Sequence, residues 1–264
     1  MSNSSQIIKE ILFRLQRLGH KYVSISKYSH AEILNITKDV ISKNEDTPNF
    51  KDLGMEDGIN SESNKSDKMI ILNQSFESHL LNDKCIFGQG SLDSKIVFVV
   101  DCTTPLDFDK NNFFNSDARI LMSKIHTAMG ISPKDTYVTS IIKSKESSSR
   151  ILKGDDEDDA NLNISIRFLK KELDIINPQI IVLLGVSAYR LLFDRMINMA
   201  SFSQIKCTQF KLCGFKLLAT YHPSYLILKD CIELKRSFWE VMLSVMKEMD
   251  LDISLEQDNF FKIG

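Results

Sequence analysis

"QIIVLLGVSAYRLLF", from Gln179 to Phe193, runs five apolar residues together, closes them with a glycine and continues at once into a helix-like octet. A short unbroken run rich in Ile, Val and Leu reads as a parallel strand buried on both faces. The stretch is therefore one strand–helix unit, and the same grammar recurs on either side of it. "KIVFVV" (95–100) precedes the helical "ILMSKIHTAMG" (120–130), where Gly130 is a natural stop. "TYVTSII" (136–142) precedes "NISIRFLKKELDIINP" (163–178), and "FKLLATYHP" (215–223) precedes "CIELKRSFWEVMLSVMKEM" (231–249). Strands alternating with helices predict an α/β fold: a three-layer α/β/α arrangement around a central four-stranded parallel sheet. All four strand carboxyl ends then share one edge, where open parallel sheets bind their ligands.

Composition narrows the class. Of 264 residues, 43% are hydrophobic and 26% charged, as in ordinary globular chains, and the net charge of −2 carries no polyanion-binding signature. Any such binding needs a local basic patch. Cys85, Cys102, Cys207, Cys213 and Cys231 are odd in number and contain no C-x-x-C pair, which argues against a disulfide framework and a zinc knuckle. No apolar run is long enough to span a membrane, and the N-terminus lacks a signal-like pattern. The expectation is a soluble, cytoplasmic monomer with no membrane partner.

Residues 1–43 read as a helical extension, with an amphipathic helix over Ile7–Leu18 and a shorter one in "HAEILNITKDVISK". Residues 44–68, rich in Asn, Ser, Asp and Glu, read as a flexible linker, and 69–264 as the α/β domain. The extension is read as a packing or partner-binding appendage.

Asp101, Ser140, Gly185 and His222 fall at the ends of the four strands. Asp101 alone reads equally as a loop cap or a catalytic group, and His222 alone as a structural or a functional histidine; their shared edge favours function. Pro223 holds His222 extended where its strand gives out. G-x-G in "CIFGQGSLDSK" precedes a strand, the wrong side for a dinucleotide fingerprint, so it reads as a turn or as backbone near a phosphate. Phe113 and Phe114 are core residues or a stacking platform for a planar base. The acidic run 155–159 is a solvated loop or a weak cation site. No Walker loop, G-x-S-x-G or H-E-x-x-H occurs.

Taken in order, "GQGSLDSKIVFVV", "FFNSDARILMSKIHTAMGISPKDTYVTSIIKS", "LKKELDIINPQIIVLLGVSAYRLLF", "ATYHPSYL" and "KRSFW" resemble the uracil-DNA glycosylase superfamily, closest to its iron–sulfur branch, family 4, over about residues 87–249. That resemblance implies a DNA base-excision glycosylase: uracil or a related damaged base is flipped out of the stack and its N-glycosidic bond hydrolysed. It implies that His222 meets the uracil O2 and that Asp101 orients water and steadies the sugar cation. Phe114 would stack on the base, Ser140 would stand where the family has a base-reading asparagine, and Cys102 would line the base site. Ser224, Tyr225 and Leu226 would touch phosphate and push into the groove, with Lys143, Arg150 and neighbouring basic residues facing DNA. The chain departs from the family in "VDCTT", where family 4 has Gly-Glu-Ala-Pro-Gly, and in Ser144, where a cluster cysteine would follow the lysine. The implied cofactor is none: no iron–sulfur cluster and no metal. Because motif one and the asparagine are both altered, a catalytically weak or silent nucleic-acid-binding protein of this fold is the alternative. A small-molecule α/β hydrolase using the same edge is a third. The resemblance also implies a repair or replication protein as the partner that the N-terminal extension would suit.

Overall fold

In the computed structural model the described residues are 64–79, 84–104, 108, 110–153, 159–193, 197–205 and 208–261. All of them fall in the unit Ser61–Gly264. The helices expected before residue 44, most of the linker and the acidic residues 155–158 lie outside the described residues.

The linker ends earlier than its composition predicts, because helix α1 occupies Lys65–His79. Asn64 accepts a hydrogen bond from the Asp67 amide, and Lys65 reaches Leu92 O, Ile176 O and Asp93, so distant partners anchor the first turn. Met69, Leu72 and Phe76 are buried on the inner face, and Phe76 lies 4.4 Å, centroid to centroid, from Phe168.

The sheet holds six strands: β1 (Gln89–Gly90), β2 (Ile96–Val100), β3 (Thr136–Ser140), β4 (Ile180–Leu184), β5 (Phe210–Leu212) and β6 (Phe215–Thr220), in the order β1-β3-β2-β4-β6-β5. The four expected strands are β2, β3, β4 and β6, and they pair in parallel. The correction to a purely four-stranded sheet lies at its edges, where β1 and β5 pair antiparallel. The last two residues of the G-x-G stretch are thus a strand: a Cβ on Gly90 would fall 2.1 Å from Thr136 O, so only glycine lets the two backbones pair. β5 joins β6 through Cys213 and Gly214, both at positive φ, the conformation of a two-residue hairpin turn.

The further helices among the described residues are α2 (Ser116–Met129), α3 (Lys145–Lys153), α4 (Asp159–Ile176), α5 (Val186–Leu192) and α6 (Met199–Gln204), and, after the last strand, α7 (Pro223–Lys229), α8 (Ile232–Glu248) and α9 (Leu255–Asn259). Asn115 caps α2 through Ala118 N, which starts the helix four residues earlier than its apolar spacing predicts, and Gly130 ends it in the left-handed region as expected. α3 lies between β3 and α4, where the sequence reading places no element.

Every residue of β2 and β4 is buried. His126 on α2 lies against Phe98 with ring centroids 5.5 Å apart, and neither ring nitrogen has a hydrogen-bond partner among the described residues. Burial holds its pKa below the ordinary value, so the unfolded chain binds this proton more readily than the folded one. Stability from this site is full above pH 6.5 and is lost as pH falls below it. Urea unfolding at pH 7.5 and 5.5 is expected to give a smaller acid loss for His126→Leu than for the parent.

Candidate active site at the carboxyl edge of the sheet

Register brings the site together. Val100, Leu184 and Thr220 pair across β2, β4 and β6, so Asp101, Gly185 and Tyr221 are the first residues beyond three adjacent strands. Ile141 and Ile142 donate their amides to Val100 O and Asp101 O, pinning the start of the loop after β2. Asp101 is half-buried; backbone amides, including that of Cys102, and the nearby Ser187 hydroxyl favour its charged form, as a positive charge on His222 would. Burial is the largest influence and raises its pKa above the ordinary carboxylate value.

His222 is the N-cap of α7, and its Nδ1 accepts from the Ser224 amide at 3.2 Å. Burial lowers its pKa, with Asp101 opposing, so the ring favours neutrality. A neutral imidazole whose Nδ1 accepts must carry its proton on Nε2. The ring therefore offers a donor without bringing a full positive charge. Phe114 stands 5.8 Å from it, centroid to centroid. Gly185, at φ +108°, lies close by: a Cβ there would sit 3.3 Å from His222 Cβ. Cys102 is buried beside Asp101.

Three expected site residues are placed differently from the sequence reading. Ser140 is fully buried and its hydroxyl donates to Ile142 O at 2.8 Å, so the side chain is turned into the fold. Lys143, expected at DNA, is fully buried: its ammonium lies 2.8 Å from Glu172 and donates to Thr139 and Ser140 O. The reason is that Glu172 on the buried face of α4 needs a cation, and Tyr137 and Thr139 complete its shell. Leu226, expected to enter the groove, is 2% exposed and walls an apolar cavity of about 390 Å³ with Leu121, Ile125, Phe238 and Trp239. On the same helix Leu228 is 77% exposed.

Ser224 is half-buried, and its hydroxyl accepts from Asn115 across the site mouth at 3.4 Å. Tyr225 stacks on Tyr221, with the Lys229 ammonium 6.0 Å from its ring centroid. Arg150 belongs to α3, and its side chain lies outside the described residues. Asn115 and Ser187 escaped the sequence reading; Ser187 was discoverable as the second residue of the helix that follows a strand-ending glycine.

An iron–sulfur cluster is held by a set of cysteine thiolates. Cys85 instead meets Ser144 in an isolated antiparallel bridge, and the Ser144 hydroxyl accepts from the Ser147 amide. Among the described residues no group of three or more His, Cys, Asp or Glu could hold a metal ion; Cys207 lies outside them. The described residues do not fit the cluster. No helix among them is long and apolar enough to cross a membrane.

Comparison with known proteins gives a match to the family model described as Uracil DNA glycosylase superfamily over residues 87–243. A type-4 uracil-DNA glycosylase of Thermotoga maritima is 28% identical over 159 residues, covering 60% of this chain and 79% of that protein. One of Saccharolobus solfataricus is 27% identical over 143 residues, covering 52% and 64%. A DNA polymerase of Bacillus phage SP01 is 24% identical over 144 residues, which cover 54% of this chain and only 15% of that protein.

Proposed function

Because the chain belongs to the uracil DNA glycosylase superfamily, we propose that it hydrolyses the N-glycosidic bond of uracil or a related damaged base in DNA. The observation that carries the reading is the meeting of an Nε2-protonated His222, the Asp101 carboxylate and the Phe114 ring at one sheet edge. In the reaction the C1′–N1 bond breaks with its electrons leaving on the base, and water adds to C1′. Negative charge grows on the base O2, where the Nε2–H of His222 donates to it. Positive charge grows on the sugar, where Asp101 is the counter-charge and the acceptor that orients water. A neutral histidine suits this task because it does not neutralise the Asp101 carboxylate beside it. Phe114 stacks on the flipped base.

A panel of oligonucleotides carrying uracil, hypoxanthine, xanthine or 5-hydroxymethyluracil tests the proposal. Alkali-labile breaks are expected on at least one substrate and are expected to vanish with His222→Ala. Binding to the panel without base release from any member would overturn it in favour of a silent nucleic-acid-binding protein, a reading that the inward-turned Ser140 hydroxyl favours. The phage polymerase similarity supports a DNA-directed role but does not separate the two.

The wedge that fills the vacated space falls to Leu228 rather than Leu226. Leu228→Ala is expected to change unfolding free energy by no more than about 0.5 kcal/mol, as exposed sites do, while lowering base release from duplex more than from single strands. Equal losses on both substrates would count against it. The protein is also expected to carry no stoichiometric iron, which metal analysis checks.

A further inference from the structure

Asn115 makes a hydrogen bond with each end of its carboxamide. It is the N-cap of α2, and its Oδ1 accepts from the Ala118 amide at 2.9 Å. With the oxygen held by the cap, the orientation of the amide is settled and Nδ2 is left to donate elsewhere. It donates to the Ser224 hydroxyl at 3.4 Å, and Ser224 in turn donates its backbone amide to His222 Nδ1 at 3.2 Å. The N-caps of α2 and α7 are therefore joined in series, Ala118 donating to Asn115, Asn115 to Ser224, and Ser224 to His222. The residue before Asn115 is Phe114, whose ring stands 5.8 Å from that of His222. Further along the same two helices, Leu121 and Ile125 of α2 and Leu226 of α7 wall one cavity. The Asn115–Ser224 contact is thus the polar tie at the N-terminal end of a packed helix pair.

We propose that Asn115 is a positioning residue: through Ser224 it holds the first turn of α7 so that the Ser224 amide stays on His222 Nδ1 and the ring keeps its proton on Nε2. The proposal rests on the glycosylase reading for its catalytic meaning, though the hydrogen bonds do not. Pro223 at the start of α7 has no N–H, so the Ser224 amide is the first donor of that helix, and Nδ1 is its acceptor. If that turn shifts, Nδ1 loses its donor and the imidazole can carry its proton on either nitrogen. A proton on Nδ1 leaves Nε2 as an acceptor, which repels the charge that grows on the base. Asn115 is exposed and its bond to Ser224 is long, so the contact adds little to stability. Its effect is on direction, which separates it from the cap that the same side chain makes.

Two substitutions separate the cap from the tie. Asn115→Ser keeps a good N-cap but is too short to reach Ser224 as well, whereas Asn115→Ala removes both. The test joins nitrogen-15 spectra of the histidine rings, with His222 assigned by His222→Gln, to single-turnover base release and thermal unfolding of the full chain. Asn115→Ser is expected to keep the parent melting temperature, to move the His222 nitrogens from the Nε2–H pattern toward an average of both tautomers, and to slow base release about tenfold. Asn115→Ala is expected to do the same and to melt lower. Adding Asn115→Ser to Ser224→Ala is expected to slow the reaction no further, because both remove one contact. Nitrogen shifts that stay at the parent values in Asn115→Ser, or rate losses that multiply in the double variant, would overturn the proposal. Absence of base release from the parent chain would instead overturn the glycosylase reading, and the nitrogen shifts would still decide whether Asn115 governs the His222 tautomer.

Discussion

Asp101→Asn is expected to lower the single-turnover rate of base release by about 10²–10³-fold, the scale set by losing one preorganised electrostatic contact to the transition state. DNA affinity is expected to hold or to rise slightly, because the substitution removes a negative charge that faces a polyanion. The amide is nearly isosteric and can still meet backbone donors, so the fold is not at stake. What disappears is the counter-charge for the sugar and the acceptor for the proton of water. Stopped reactions at saturating protein, paired with anisotropy titrations on the same duplex, separate the two effects. A rate within tenfold of the parent would mean that Asp101 is the loop cap its sequence position also allows. The pH profile of the parent gives a second check. Since burial raises Asp101 above 3.8, the acid limb is expected above the ordinary carboxylate range, and Asp101→Asn is expected to abolish that limb.

Lys143→Met carries the largest expected effect on stability, a loss of about 3–5 kcal/mol, as found when one member of a buried ion pair is removed. Both side chains of the Lys143–Glu172 pair are fully buried. Tyr137 and Thr139 each donate to Glu172 at 2.9 Å, and burial together with Glu172 raises the tyrosine pKa far enough to keep that donor protonated. Without the lysine, the carboxylate keeps its two hydroxyl donors but loses its cation. It then either takes up a proton or remains an uncompensated charge in the core. Lys143→Met combined with Glu172→Leu is expected to recover part of the loss, since two apolar residues need no counter-charge. Full recovery is not expected, because the Tyr137 hydroxyl then has no acceptor, at a cost of about 1–3 kcal/mol. Denaturant unfolding of the single and double variants measures this directly. A single variant as stable as the parent would show that Lys143 is solvated rather than sealed against Glu172.

Lys143 also shows where the sequence misled. In "KSKESSSRILK" it stands among other basic residues and reads as part of a DNA-facing patch. Its partner is on α4, and the hint lies there: Glu172 is spaced three and four residues from Leu169 and Ile176, on the face that goes inward. A carboxylate on an apolar stripe requires a cation from elsewhere, but nothing local says which one. Leu226 misled for a related reason. A leucine after His-Pro-Ser reads as a loop residue offered to a duplex, yet α7 begins at Pro223, and one helical turn later Leu226 faces α2 and α8.

The sequence by itself determined the four parallel strands, most of the helices between them, and the shared edge on which Asp101 and His222 fall. Those follow from local rules: unbroken apolar runs, helical spacing, a glycine after β4 and a proline after His222 each act within a few residues of themselves. The tertiary structure alone decided the antiparallel edge strands, the inward turn of Ser140, and the burial of Lys143 and Leu226. Each of these depends on a partner distant in the chain, because whether a polar group is buried is settled by what another element can offer it.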